Sequence, residues 1–552
     1  MKKFILYILL VFNSNIHSSE IVGEWKFISI TNIDNDTLYE ISDNDKLIIK
    51  KNKEFKYSVY HKKVIALGKW KLNNNLIEFN YNQPNDTLRK YNYNVSNNEL
   101  ILTENNTIYK FNRISKKKEF IESKSLNFFR GFIGVVFLIL ICFIFSLDRN
   151  NINWKLVIKG ILIQFILAYS VINIPLISSI FEFISSAFIK IISFTDAGTN
   201  FLFASYISGK IDPPLINFII QVIPTIIFFS ALTSIFYYLG ILQKIVNFFS
   251  LILRRILTLS GAESFAAIGN IFLGQTEAPL LVKPYLSKMT KSEIFCLMSG
   301  GMATIAGGVL AAYIIFLGNN DSNEQILYAQ HLITASILSA PAAIVCAKII
   351  VPEKNKFSEF KYKINHNFGN NVLEAINIGT YQGIKLAINV AGMLLVFTAL
   401  IAMTNYIFKD IIGDILGLNN IINNNTSYSG LSLEFIFGYI FSPIAWIMGV
   451  PWDDAVLVGQ LLGEKTILNE FIAFKSLGEM KSANLFTYDK SIIMSTYILC
   501  GFANFASIGI QIGGIGSLAP NQTKNLSELG LRALIAGTIA SLFTAVIIGM
   551  IM

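Results

Sequence analysis

Two periodicities divide this chain. From residue 20 to about 115 apolar and polar positions alternate with a period of two. GEWKFISI, KLIIKK, EFKYSVY, VIALGKWKL, LIEFNY, KYNYNV, ELILTE and TIYKFNRI predict about eight short strands, separated by turns rich in Asn, Asp and Gly. Eight strands in so short a stretch predict a small antiparallel barrel or sandwich. From Leu126 onward the alternation gives way to apolar runs long enough to cross roughly 30 Å of hydrocarbon. Eight such spans are expected, at Leu126–Leu147, Leu156–Ile174, Ile216–Leu239, Phe295–Leu317, Ile326–Val351, Leu386–Phe408, Ile492–Gly513 and Ala533–Met552. Leu176–Ala204 reads as amphipathic and is expected to lie along the membrane surface. Two further stretches, about 258–286 and 435–475, are apolar yet broken by Gly, Pro and carboxylates. They predict re-entrant hairpins rather than simple spans.

The first 19 residues have a third pattern: two lysines, a short apolar run at Phe4–Phe12, then polar residues. That predicts a secretory signal peptide cut near Ser18 or Ser19. The chain then divides into the signal (1–19), a β-domain (20–115), a juxtamembrane linker (116–125) and a membrane domain (126–552). The fold class expected is an all-α polytopic membrane protein of about eight transmembrane helices and two re-entrant hairpins. A small antiparallel barrel-like domain precedes it. Gly23-Glu24-Trp25 resembles the Gly-x-Trp opening of lipocalin-like domains.

Composition agrees with a chain that sits mostly in lipid. It is 53% hydrophobic and only 15% charged, with a mean hydropathy of +0.52. Soluble proteins carry about 25% charged residues. The net charge of +9 does not imply a nucleic-acid partner, because the basic residues fall in short loops. Cys142, Cys296, Cys346 and Cys500 lie in or beside apolar runs, without metal-ligand spacing, and read as core residues. The loop at 318–325 has acids and no basic residue, whereas the loop at 352–366 carries Lys354, Lys356, Lys361 and Lys363. Lys244, Arg254, Arg255, Lys283, Lys288 and Lys291 flank the first interrupted segment. These loops place the N-terminus outside, as the signal peptide requires. Lys116, Lys117, Lys118 and Lys124 run against the rule, and a translocated folded domain overrides them.

Ionisable residues in lipid are costly and usually functional. Glu277 stands in Gly269-Asn270-Ile271-Phe272-Leu273-Gly274-Gln275-Thr276-Glu277-Ala278-Pro279-Leu280, and Glu470 in Gly463-Glu464-Lys465-Thr466-Ile467-Leu468-Asn469-Glu470-Phe471. Each is followed by a span rich in small residues, around Gly300–Val309 and Cys500–Gly509. Broken segments at matching places in two halves mark an inverted-repeat transporter with its site near the midplane. Two carboxylates with amides and hydroxyls suit a neutral, polyhydroxylated ligand. A carboxylate accepts from a vicinal diol, Gln and Thr match the edges of a heterocycle, and Phe502 offers a ring face. No Arg or Lys stands among these groups, which argues against phosphorylated substrates. There is no nucleophile–base pair, metal cluster or phosphate loop, so no enzyme is expected.

Gly-Asn-x-Phe-x-Gly-Gln-Thr-Glu-Ala-Pro-Leu, Gly-x-Lys-x-x-x-Asn-Glu-Phe and Cys-Gly-Phe-Ala-Asn-Phe-x-Ser-Ile-Gly together resemble the concentrative nucleoside transporters over roughly residues 150–550. Ile472, where that family usually has Val, is a mild departure. By position, the resemblance implies that Gln275, Thr276 and Glu277 contact the nucleobase, with Val309 and Phe502 packed against it. It implies that Glu470, Asn504 and Ser507 hold the ribose, and that a sodium ion is held at Asn270, Leu273, Thr304 and Ile305. It further implies a homotrimer in a bacterial inner membrane that imports nucleosides by Na+ symport, with no organic cofactor. Two alternatives stay open: coupling to H+, and a receptor or sensor that uses the outer β-domain.

Overall fold

A computed structural model describes residues 21, 23–32, 38, 45–49, 53–59, 64–73, 76–83, 87–96, 99–104, 106–114, 124–205, 209–211, 217–318, 321–354 and 369–552. The expected signal segment lies outside them. The described residues form two units, an N-terminal barrel and a helical membrane unit.

The barrel strands are β1 (Gly23–Asn32), β2 (Lys46–Ile49), β3 (Glu54–Val59), β4 (Val64–Asn73), β5 (Leu76–Gln83), β6 (Thr87–Ser96), β7 (Glu99–Glu104) and β8 (Thr107–Ile114). Each pairs antiparallel with its sequence neighbour, and β8 returns to β1, closing the barrel. Closure leaves no free strand edge. The period of two sends Leu47, Ile49, Phe55, Ile77, Phe79, Leu100 and Leu102 inward. In β1 the register shifts between Phe27 and Ser29, so Ile30 points in while Ile28 is 46% exposed. A bulge re-aims side chains in this way. Trp25 is fully buried, and its Nε1 donates to the Ile21 carbonyl at 3.0 Å. The tryptophan of the Gly-x-Trp opening is therefore a core residue of the barrel.

The membrane unit contains α1 (Lys124–Ile144), α2 (Trp154–Asn173), α3 (Pro175–Phe203), α4 (Phe218–Tyr238), α5 (Ile241–Leu257), α6 (Gly261–Phe272), the single turns α7 (Ala278–Leu281) and α8 (Lys283–Leu286), and α9 (Lys291–Ala303). It continues with α10 (Gly307–Gly318), α11 (Ser322–Ile350), α12 (Val372–Tyr406), α13 (Leu418–Asn425), α14 (Leu433–Ile447), α15 (Ala455–Ile467), α16 (Glu470–Ser482), α17 (Asp489–Leu499), α18 (Phe505–Leu518) and α19 (Thr523–Ile551). Among the described residues eight helices are long and apolar enough to cross a membrane. The number is the expected one, but the membership differs. Pro175–Phe203, expected to lie along the surface, is a 29-residue helix that enters the count by length and composition, with only Ser185 and Thr195 buried. Lys291–Gly318 stays in the count across its break at Thr304, whereas Ile492–Gly513, broken between Leu499 and Phe505 into helices of 11 and 14 residues, is outside it.

Burial separates centre from periphery. The apolar windows of α11 and α19 are 89% and 78% buried, those of α3 and α12 only 6% and 11%. Lys348 on α11 pairs with Glu263 in the first turn of α6 at 2.6 Å and donates to Ser292 Oγ of α9 at 2.9 Å. Both charges are nearly solvent-free, so removing Lys348 leaves Glu263 buried and uncompensated, whereas Lys348 keeps Glu353 as a second acidic neighbour at 4.0 Å. Helices α14 and α15 run antiparallel at close range. A Cβ on Gly459 would stand 2.5 Å from the Gly438 carbonyl oxygen, and one on Gly463 would meet Phe437.

In the barrel, burial raises the hydroxyl pKa values of Tyr57, Tyr81 and Tyr91 above the ordinary phenol value. The folded barrel therefore holds these protons more tightly than the unfolded chain. The stability this contributes is fully present below about pH 10 and is lost as pH rises toward the folded values. The barrel's unfolding midpoint should fall as pH rises past about 10. In an alkaline absorbance titration of the whole protein, these tyrosines should ionise only as the barrel unfolds. Ionisation of all 22 tyrosines before any unfolding would contradict this account.

Candidate functional site

Four chain breaks build the site. Ser260 caps α6 by accepting from the Glu263 amide at 3.1 Å, and α6 ends at extended Leu273. The turn that follows is closed by Glu277, whose Oε2 accepts from the Gly274 amide at 2.8 Å. Helix α9 stops at Thr304, which is extended, and α10 restarts at Gly307. Helix α15 stops at Leu468, and Asn469 starts α16 by accepting from the Ile472 amide at 3.0 Å. Helix α17 stops at Cys500, and Asn504 starts α18 by accepting from the Ser507 amide at 2.9 Å. Asn is a strong N-cap because its oxygen satisfies an otherwise orphaned first-turn N–H.

The breaks after α9 and α17 meet. Gly501 has φ +114°, and a Cβ there would stand 2.7 Å from the carbonyl oxygens of Met302 and Ala303. Only glycine serves both the left-handed backbone and this approach.

Around that meeting point a buried hydrogen-bond chain joins the two interrupted segments. Asn504 Nδ2 donates to Glu470 Oε2 at 2.7 Å, and Tyr313 OH donates to Glu470 Oε1 at 3.4 Å. Gln275 Nε2 donates to Ser507 Oγ at 3.0 Å. Gln511 Nε2 donates to Gln275 Oε1 at 3.1 Å and to the Met298 carbonyl at 3.0 Å. Asn504 thus spends its oxygen on the helix cap and its nitrogen on Glu470. It ties the carboxylate to the geometry of the restart.

The other expected residues fall around this chain. Thr276 lies beside Gly514, where a Cβ would be 3.4 Å from its Cγ2. Phe502 is in the break and buried, and Val309 is buried in the first turn of α10. Glu277 takes no part in the Glu470 chain. It lines a cavity with Tyr237 of α4, Ala306 and Gly307 at the α9 break, and Gln382 of α12. The two carboxylates therefore stand in different surroundings, one in a cavity and one in a closed polar network.

Two of the expected sodium ligands, Asn270 and Thr304, present oxygens that fit such an ion. Asn270 is completely buried, yet among the described residues neither its Oδ1 nor its Nδ2 has a hydrogen-bond partner. Leaving such atoms unpaired costs about 1–3 kcal/mol each. The amide lies against α9, where a Cβ on Gly300 would be 2.8 Å from Nδ2. Thr304 Oγ1 donates to the Gly300 carbonyl at 2.9 Å, which leaves its lone pairs available. Neutral oxygens at a helix break suit a hard monovalent cation.

Three residues of this region are absent from the expected set. Tyr313 stacks on Phe474 with centroids 4.1 Å apart while reaching Glu470. Gln511 sits one turn beyond Ser507, and its amide in an apolar helix was the available signal. Lys465 is fully buried five residues before Glu470, so the region does contain a basic group. Its ammonium is directed to the end of α17 rather than to the carboxylates.

Residues 133–206, 219–320 and 331–549 match families described as "Na+ dependent nucleoside transporter N-terminus", "Nucleoside recognition" and "Na+ dependent nucleoside transporter C-terminus". The Bacillus subtilis protein described as uncharacterized transporter YutK is 37% identical over 428 residues, 77% of this chain and all of that protein. The chain belongs to the concentrative nucleoside transporter family. Sodium/nucleoside cotransporter 1 of Rattus norvegicus is 35% identical over 436 residues, 76% of this chain and 63% of its own length. This transporter also shares its fold with CNTnw in an inward-facing substrate-bound state, with a TM-score of 0.67 and 34% identity over 77% of this chain and 98% of that one. An outward-facing form of CNTnw matches with a TM-score of 0.68. The matched families begin at residue 133, so the barrel is an addition to the transporter core.

Replacing Gly501 with Ala should lower the transporter's thermal unfolding midpoint in detergent. Overpacking alone costs about 1–3 kcal/mol, and backbone strain adds to it. An unchanged midpoint would show that the two breaks are not in fixed contact.

Proposed function

We propose that this chain imports nucleosides by symport with Na+. The observation that carries the proposal is the buried hydrogen-bond chain through Glu470, Asn504, Ser507, Gln275 and Gln511. It brings polar groups of both interrupted segments to one place among apolar helices, as a transport site at the junction of two repeats requires. Gln275, Thr276 and Glu277 contact the base, with Val309 and Phe502 packed on it. Glu470, Asn504 and Ser507 hold the ribose. Glu470 accepts from Asn504 and Tyr313 and keeps lone pairs for the sugar hydroxyls. No covalent step is involved.

Na+ is carried with the nucleoside, held by the side chains of Asn270 and Thr304 and the carbonyls of Asn270, Leu273, Thr304 and Ile305. The unpartnered Asn270 amide supports this assignment. Because Asn270 and Leu273 close α6, the ion orders the turn that carries Gln275 and Glu277. The protein works as a homotrimer in a bacterial inner membrane, with the barrel on the outer side. Helix α12 fits an exposed setting in that assembly. Its buried residues run from Ala375 to Val390, which leaves the stretch beyond Val390 for lipid or a neighbouring protomer.

Glu470→Gln should weaken nucleoside binding severely, because a charge-assisted hydrogen bond contributes about 1.5–3 kcal/mol and unpaired partners add to the loss. Equilibrium binding and uptake both read this out. Normal transport by Glu470→Gln would remove the ribose assignment. In proteoliposomes, uptake of labelled uridine should follow an imposed Na+ gradient. Uptake that ignores Na+ and collapses with the proton gradient would establish the H+-coupled reading instead.

A further inference from the structure

The amino group of Lys465 is the least expected charge in this molecule. The residue is fully buried, and its Nζ donates to the Ile498 carbonyl at 2.8 Å, the Cys500 carbonyl at 3.4 Å and Ser541 Oγ at 2.8 Å. All three partners are neutral oxygens. Burying a charge without an opposite charge costs several kcal/mol, so this bed of oxygens must replace its hydration. The bed is well placed for that purpose. Ile498 and Cys500 lie at the C-terminal end of α17, where carbonyls have lost their helical partners and the helix dipole is negative.

The same architecture occurs in the first half. Asn270 stands three residues before Leu273, where α6 ends, and Lys465 stands three residues before Leu468, where α15 ends. Each helix lies beside a second broken helix: α9 stops at extended Thr304, and α17 stops at extended Cys500. Asn270 abuts Gly300, four residues before that stop, and Lys465 reaches Ile498 and Cys500 at its own. At matching positions, one half carries a neutral amide with no partner and the other an ammonium with three.

We propose that Lys465 is a tethered cation, filling in the second half the place beside the broken helix that the transported cation takes in the first. This rests on the assignment of that ion to Asn270 and Thr304. Lys465 is a positioning residue: its ammonium holds the Cys500–Asn504 break in the form that presents Phe502 and Asn504. It also ties α15, which leads into Glu470, to α17 and to α19 through Ser541. The first site can load and unload, whereas the second carries its cation permanently.

The test compares Lys465→Met, Lys465→Asn and Ser541→Ala with the unaltered protein in detergent. Uridine binding is measured against NaCl at constant ionic strength, with choline chloride as the balancing salt. Lys465→Met should bind uridine about tenfold or more weakly at saturating Na+, with the midpoint of the Na+ dependence unchanged. Lys465→Asn, which copies the first half, should recover part of that affinity in a second, saturable cation dependence absent from the unaltered protein. Uridine affinity within about twofold of the unaltered protein in Lys465→Met would overturn the proposal. So would Lys465→Asn behaving like Lys465→Met at every Na+ concentration. Should Lys465→Met not fold, Ser541→Ala decides. It keeps the charge and removes one acceptor, and unchanged uridine affinity would overturn the proposal. If binding by the unaltered protein ignores Na+, the sodium assignment fails, and with it the equivalence of the two places. A loss in Lys465→Met would then still establish the positioning role.

Discussion

A helix that stops inside a membrane leaves backbone carbonyls and amides that lipid cannot satisfy. Every feature of the site answers that constraint. At the α6 break the carboxylate of Glu277 takes the Gly274 amide. At the starts of α16 and α18 the side-chain oxygens of Asn469 and Asn504 take first-turn amides. At the end of α17 the ammonium of Lys465 takes two carbonyls. The groups that make the breaks tolerable are also the polar groups available to a ligand, so fold and site share one set of side chains.

The contact between the α9 and α17 breaks turns four local solutions into one site. Gly501 approaches the last carbonyls of α9, and Gly537 of α19 packs against Met302 and Ala503. A side chain at either glycine would separate the breaks. With the breaks together, Gln275 from one half reaches Ser507 of the other, and Gln511 reaches back to Gln275 and Met298. Hydrogen bonds in so dry a setting are individually strong and collectively specifying. The network also makes Glu470 and Glu277 unlike. Glu470 is held by an amide and a phenol, whereas Glu277 closes a turn and faces a cavity.

Much of the architecture was legible in the chain. Period-two alternation across 20–115 sufficed for eight strands, because one face of each is packed and the other wet. The signal could not choose between barrel and sandwich, since both bury alternate residues. Closure depends on the pairing of β1 with β8, which lie about eighty residues apart in sequence. Length and composition count Pro175–Phe203 among the spans and leave Ile492–Gly513 out. Pro175–Phe203 is peripheral and faces few neighbours, with only Ser185 and Thr195 buried. Ile492–Gly513 is apolar on average, and hydropathy does not register a break satisfied by Asn504 and Lys465.

By itself the sequence determined the two periodicities, the presence of carboxylates and amides in apolar segments, and the motifs that place the chain among nucleoside transporters. Those depend on residue type and spacing alone. The tertiary structure decided who meets whom. It paired Asn504 with Glu470 rather than leaving its amide free, and it drew Tyr313 and Gln511 into the polar chain. It left Asn270 without a partner and gave Lys465 three. These outcomes turn on distances between segments far apart in sequence. Periodicity constrains each helix's faces but not which faces touch.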